Sequence, residues 1–486
     1  VKRLRHYWKL WRSLPTADRH ERTARLFERW MRQRPAIRRL GLVPDQPRWS
    51  EFKRALEVTP EQLLRRLRRD DPARGPLFDD ASSRAATVLA GHPDHAKETL
   101  ASAERILDGQ YDLLGSGPSS LRRPDGSIDW QRDWISGEGW PADEHYTRIE
   151  FVRGDGSDVK LPWELARFQH LLVLAQAVHF APALLTPSDA EAFSRRCVVE
   201  TRFQIDDWIR HNPRGLGIHW CCAMEVALRA VSWLAVLALL RHRPEFDDRF
   251  LQALVRSLWV HGRHIRRNLE IGVDGTTSNH YLSDLIGLYA LGCGLPELGE
   301  AQGWRALAHA ALIEEMEKQV HPDGVDYECS IPYHRLVTEI FLHAALLARH
   351  SGDELPAPFL QRLGRMLEFV ATYSRLDGSC PQWGDNDDGR LLPLDGYATH
   401  RPNDHRHLLG VGGLLLERDD LLSAAGGRDV EARWLVGSPP ATVARPVAGR
   451  SSRRFADAGL FVMRHADLHT FIPAGPVGTG GVGNHT

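Results

Sequence analysis

The chain has 486 residues, a formal net charge of −1 and 42% apolar residues, the composition of a globular protein with room for one large domain and a smaller second one. That balance argues against a nucleic-acid-binding protein, and no uninterrupted apolar run approaches the ~20 residues of a membrane-spanning helix. The six cysteines, at 197, 221, 222, 293, 329 and 380, show no CxxC spacing and read as core residues rather than disulfides or a zinc site.

In chain order, Val1 to Leu14 is basic and carries Trp8, Leu10 and Trp11, but lacks the continuous apolar core and cleavage pattern of a secretory signal peptide. It is expected to pack on the main domain, with a basic amphipathic helix on an anionic surface as the alternative. Leu26, Phe27, Trp30 and Met31 recur at helical spacing, Pro60 opens a further helix, and the arginine blocks here read as a solvated face. Residues 110 to 160, rich in Gly, Pro, Asp and Trp, read as a long loop with short strands, a length that usually signals function.

From Leu161 to about Glu417 the pattern is almost entirely helical, with helices expected near 161–180, 187–210, 222–241, 247–269, 279–293, 303–320, 331–351, 357–376 and 403–418. The joints alternate. Polar ones (His211 to Trp220, Asp274 to His280, Pro322 to Tyr333, Asp377 to Arg390) interleave with plainer ones (Pro182 to Ala190, Pro244 to Asp248, Gly294 to Gly303, Ser351 to Pro358). Alternate joints of stacked helical hairpins fall at the same end, so the polar joints gather on one rim of an α/α toroid. After Arg445, Phe455–Arg464 and Leu468–Ile472 read as two strands before a Gly-rich loop, the opening of a β domain. The expected domains are a basic helical segment over 1–110, a toroid over 111–445 and the start of a β domain over 446–486. The chain begins with Val and stops at Gly483-Asn484-His485-Thr486 inside a β region, so a C-terminal truncation is expected.

Four groups can carry chemistry. Lys160, Glu164 and Arg167 share one helical face beside Trp163; the plain alternative is a surface salt-bridge ladder. Glu225 and Arg229, an i, i+4 pair behind His219 and Trp220, sit in an otherwise apolar helix, where they are either a structural ion pair or substrate contacts. Two polar helix starts follow, Asn279-His280 and Glu328 with Tyr333-His334, whose plain alternative is capping and a satisfied core histidine. Last comes Gln382-Trp383-Gly384-Asp385-Asn386-Asp387-Asp388-Gly389-Arg390. It lacks EF-hand spacing and reads as a polar cleft loop cross-bridged by Asp385, Asp387 and Arg390, with calcium binding as the alternative.

The series Asp158-x-Lys160-x-x-Trp163-Glu164-x-x-Arg167, Trp220 with Glu225 and Arg229, Ser278-Asn279-His280, Asp323-Gly324 with Glu328, Ser330 and Tyr333-His334, and Gly384-Asp385-x-Asp387-x-Gly389-Arg390 resembles the heparinase II/III-type polysaccharide lyases, which include alginate and oligoalginate lyases. The resemblance runs from about Gln110 to the C-terminus. It implies an N-terminal α/α toroid, a C-terminal antiparallel β-sandwich and an active site between them. It also implies β-elimination on a 4-linked uronic acid. Asn279 and His280 would neutralise the carboxylate at a dipole-positive helix start. Tyr333 would shuttle a proton, aided by a cation such as His280, His334 or Arg229 because a free tyrosine has a pKa of ~10. His485 would be a second acid/base. Trp163, Glu164, Arg167, Trp220, Glu225, Arg229, Glu328, His334, Trp383, Asp385 and Arg390 would line the substrate. The departures are His219, where relatives often carry Asn, and the residues after His485, where relatives continue into a further His and Asp.

The implied partner is an acidic polysaccharide, with no required cofactor, although a divalent metal in the β domain is compatible with the resemblance. The family commonly works in the periplasm or cell envelope. The rival readings are a glycoside hydrolase using Asp385 or Glu225 with Glu138, and a non-catalytic glycan-binding accessory protein.

Overall fold

In the computed structural model, which describes residues 47–272, 274–395, 402–437, 451–465 and 468–476, the apolar periodicity of the middle of the chain becomes a ring of helix pairs. Five inner helices follow one another round the ring: His170–Leu184, Ala223–Leu240, Asn279–Gly294, Ile331–Ser351 and His407–Leu415. Each packs on the next, and the outer helices Pro187–His211, Asp248–Arg267, Ala301–Gln319 and Ala357–Tyr373 return the chain between them. The sequence separates the two layers. All 18 residues of Ala223–Leu240 are buried; it is long and apolar enough to cross a membrane, yet it lies inside the ring. The outer helix Asp248–Arg267 is less completely buried: Phe250, Leu251, Leu254, Val255, Leu258 and Ile265 face inward, while Asp248, Arg249 and Arg266 are exposed. Gly287 lets the second and third inner helices approach, because a Cβ there would sit 2.6 Å from the Ala227 Cβ.

The ring closes through elements outside the hairpin series. Val430–Leu435 packs on the fifth inner helix and on Ala81–Gly91, which reaches the first inner helix; Pro93–Leu107 packs on that helix too. His92 Nε2 meets Asp429 at 2.5 Å, and Arg433 donates to the Thr87 carbonyl at 3.0 Å. Residues 81–107, within the 1–110 segment expected to pack on the toroid, make these contacts with the ring. Val1 to Leu14 and the Leu26–Met31 pattern lie outside the described residues.

The helix starts are capped as expected. Thr186, Asp247, Ser278 and Ser330 each accept a backbone N–H of the first turn. One expected helix, 161–180, is instead two, Lys160–Ala166 and His170–Leu184, broken where Phe168 adopts φ 60°. The physical reason is packing: Phe168 is fully buried between Trp130 and Trp233, with centroids at 5.1 and 5.3 Å, and that burial outweighs the ~1–2 kcal/mol left-handed penalty. The three-stranded antiparallel sheet Arg453–Phe455, Leu460–His465 and Leu468–Pro473 forms where two strands were expected, the first expected strand folding into a hairpin. It docks on the last outer helix, Ala357–Tyr373, and on the loop before the fourth inner helix: Phe455 packs on Phe369 at 4.7 Å, and Asp323 accepts the backbone N–H groups of Asp457 and Ala458.

Candidate active site

All five inner helices begin at the same rim, and direct contacts tie their starts together. Arg167, before the first, forks onto Glu225 of the second at 2.7 and 2.8 Å. The backbone N–H of Ala223, at the start of the second, reaches Glu270, which binds His280 of the third. Asn279 of the third bonds Glu328, just before the fourth. Ser330 at the fourth donates to the Asp385 carbonyl in the loop that leads to the fifth. The β-sheet borders the same rim, with Trp383 against Phe471 at 5.4 Å and the Cys329 thiol 3.5 Å from the Pro476 carbonyl. Between Glu328 and Ser330, Cys329 is held at φ 61°, an uncommon state for a non-glycine residue.

The Asn279 start is built in two layers. Asn279 itself has no exposed surface: its backbone N–H and its side-chain Nδ2 donate to the two oxygens of the fully buried Glu328, at 2.8 and 2.7 Å. Its Oδ1 is buried with no hydrogen-bond partner among the described residues. The Asn279 side chain presents no exposed surface to a ligand in this geometry, and one of its amide N–H groups is committed to Glu328. His280, one residue on, is 45% exposed in its side chain and turns Nδ1 to Glu270 Oε2 at 2.9 Å. Burial works against a charged ring there, but Glu270, and then Glu225 and Glu328, outweigh it and hold the imidazole above its ordinary value.

The Tyr333 start lies across Glu328. Its hydroxyl donates to Asp387 Oδ2 at 3.4 Å, and the same oxygen meets Lys160 Nζ at 3.3 Å. Burial, then Asp387 and Glu328, push the phenol above its usual value, whereas Asp387, despite burial, is held below the usual carboxylate range by Arg167 and Lys160. Two of the cations expected beside Tyr333, His334 and Arg229, are turned to other partners. His334 is buried, taken down to about 4 by desolvation, with Nδ1 facing the Asp326 N–H and Nε2 at the Met366 carbonyl. Arg229 is buried with Nε on His261 and a second nitrogen on the His219 carbonyl, its guanidinium 4.2 Å from the Trp208 ring centre; burial lowers it to about 9.

Other expected contacts divide by burial. Glu164 and Arg167 are buried rather than a surface ladder, 2.6 Å apart, and Lys160 leaves them for Asp387. Burial raises Glu164 to about 7, since Arg167 is shared with Glu225. Of the two readings left open for Glu225 and Arg229, the ion pair between them gives way to Arg167 on Glu225. Trp163 donates to the Ile218 carbonyl, and Trp220 is packed on Trp208, so both are ring wall. Arg390 does not bridge the loop: it turns inward to Glu339 (3.0 and 3.2 Å) and Glu431 (2.7 Å). Glu138 is exposed on the 131–140 loop, and Glu225 is locked by Arg167. His485 lies outside the described residues.

Glu270 escaped the sequence reading, because a single carboxylate ten residues before His280 in a non-periodic stretch carries no local signal. Cys222, Glu270 and His280 bring three potential metal-ligand atoms within 4.8 Å of one another. Glu270, however, is already met by donors on both oxygens: Ala223 N, Met224 N, the Cys222 thiol and His280 Nδ1. Burial and the neighbouring Glu270 push the thiol well above its ordinary value, so it stays a donor.

Residues 109–398 match the family described as Heparinase II/III N-terminus. A heparin-sulfate lyase of Pedobacter heparinus is 25% identical over 268 residues, 54% of this chain and 36% of that protein. A heparin-sulfate lyase of Bacteroides stercoris is 27% identical over 251 residues, 47% of this chain and 35% of that protein. The matches thus span about a third of the length of these relatives. A crystal structure of heparinase III superposes with a TM-score of 0.51 at 18% identity, covering 78% of this chain and 53% of that one, a likeness of fold. With the family match extending over more than half of its residues, from the long loop through the Asp385 segment, the chain belongs to the heparinase II/III family.

Proposed function

We propose that the protein is a polysaccharide lyase that cleaves a uronic-acid-containing glycan, heparin/heparan sulfate-like or alginate-like, by β-elimination. The observation that carries the reading is the convergence of the His280 and Tyr333 helix starts on one rim beside the β-sheet, with Glu328 between them. His280, paired with Glu270 and half exposed, faces the substrate carboxylate and makes the adjacent C5 proton acidic enough to remove. Asn279 supports it from beneath by fixing the helix start. A base takes H5, the electron pair forms the C4–C5 double bond, the C4–O4 bond breaks, and O4 takes a proton. Tyr333, kept protonated by burial and by Asp387, suits the last role, as the acid that protonates O4. The resemblance assigns the base to the C-terminal segment, at His485.

The test is to incubate the full-length protein with heparan sulfate, alginate and hyaluronan while following near-ultraviolet absorbance, which reports the unsaturated product. Absorbance that grows on one of them, with loss of roughly 100-fold or more of turnover in Tyr333→Phe, is expected. New reducing ends without absorbance would convert the reading to a hydrolase, and unchanged turnover in Tyr333→Phe would remove the tyrosine from the mechanism.

A further inference from the structure

We infer that Glu270 is a positioning residue that acts through His280, fixing which nitrogen of the ring carries its buried proton and presenting the other nitrogen, as a charged N–H donor, to a substrate carboxylate. The inference rests on the lyase reading for its consequence but not for its geometry. Glu270 follows the outer helix Asp248–Arg267, and its own backbone N–H is anchored on Asp284 at 2.7 Å, one helical turn beyond His280. Its carboxylate caps the second inner helix through Ala223 N (3.3 Å) and Met224 N (3.4 Å), takes the Cys222 thiol at 3.8 Å and receives His280 Nδ1 at 2.9 Å. Every one of these partners is a donor, so the carboxylate is held in one orientation and Nδ1 must bear a proton.

The chemistry then follows from the two ring nitrogens. A neutral imidazole with its proton on Nδ1 leaves a lone pair on Nε2, which would repel a uronate. A protonated ring offers Nε2–H instead. His280 Nε2 has no hydrogen-bond partner among the described residues, and with Nδ1 turned to Glu270 it belongs to the exposed part of the side chain. The charged groups that act on His280 are Glu270, Glu225 from the second inner helix and Glu328 from before the fourth, with the uncharged Cys222 thiol 3.9 Å from Nδ1. The three carboxylates are acidic, and Glu270 is the one hydrogen-bonded to the ring. Removal of its charge leaves burial, which favours the neutral ring, as the main remaining influence.

The experiment is an NMR titration of His280 in the full-length protein, wild type against Glu270→Gln and Glu270→Asp, with pH profiles of turnover on whichever uronate glycan the wild type cleaves. The wild-type ring should titrate above an ordinary imidazole and move down in Glu270→Gln. Activity needs the protonated ring and is lost as pH rises through its pKa, so the alkaline limb of kcat/KM moves down by the same interval and KM rises. Glu270→Asp, which keeps the charge, recovers most of the pKa. A helix cap alone would shift neither the titration nor the limb. An unshifted His280 in folded Glu270→Gln overturns the inference, as does a shifted His280 with an unmoved pH profile and KM. A wild type that forms no unsaturated product on any uronate glycan overturns the lyase reading instead, while the titration still judges the Glu270–His280 pair.

Discussion

Glu328 is the residue on which the two helix starts depend, and replacing it tests that dependence quantitatively. In Glu328→Ala the Asn279 backbone N–H and side-chain Nδ2 lose an ionised acceptor at 2.8 and 2.7 Å in a site with no solvent. Hydrogen bonds to charged groups contribute about 1.5–3 kcal/mol each, so the gross loss is about 3–6 kcal/mol. Part of it is offset, because the buried Asp326 no longer faces a like charge; burial and Glu328 now push that carboxyl well above its usual range. The net expectation is about 3–4 kcal/mol. Glu328→Gln behaves differently. Its amide keeps one acceptor oxygen and gains two donors, and the Asn279 amide, whose Oδ1 is now buried without a partner, can turn to accept from it. That variant should lose no more than about 1–2 kcal/mol. Urea unfolding followed by tryptophan fluorescence and circular dichroism, with a common slope for the three proteins, gives the differences. Glu328→Ala within about 1 kcal/mol of wild type, or the two variants equally destabilised, would refute the account of this joint.

Two further substitutions probe the buried charges of the rim. Glu164 has its folded pKa raised to about 7 from 4.5, so its contribution is full below 4.5 and lost as pH rises through 7, about 3 kcal/mol in all. Glu164→Gln cannot ionise, and its stability relative to wild type should therefore rise by that amount between pH 4.5 and pH 8 in urea titrations; a constant difference would show that Glu164 is not raised. Arg390→Met leaves Glu339 and Glu431 buried without their cation and should lose about 3–5 kcal/mol. The loss should be smaller at pH 5, where Glu431, raised by burial to about 7, is neutral. A variant of wild-type stability with a raised KM would return Arg390 to the substrate.

The ring and the gathering of helix starts on one rim were legible because they rest on local regularities. Caps such as Ser278 and Ser330 mark where inner helices begin, and alternation of polar and plain joints follows from hairpins that must return to the same end. What local pattern could not decide is which partner wins a charge. The spacing of Glu225 and Arg229 makes them neighbours on one helix, yet Arg167, 58 residues away from Glu225, takes both carboxylate oxygens and leaves Arg229 to His261 and the Trp208 ring. Arg390 stands beside four acidic or amide residues in its own loop, and still pairs with Glu339 and Glu431. A buried carboxylate without a cation is far more unfavourable than one that water can reach, and Glu339 and Glu431 are buried. The same competition explains Glu270. Its role depends on an outer helix returning it to the start of two inner ones, where the unpaired N–H groups of Ala223 and Met224 and the ring of His280 need one anion between them. Sequence spacing names the candidates for an ion pair, but burial decides among them, and at this rim the decision separates a wall of fixed charges from the partly exposed His280 and Tyr333.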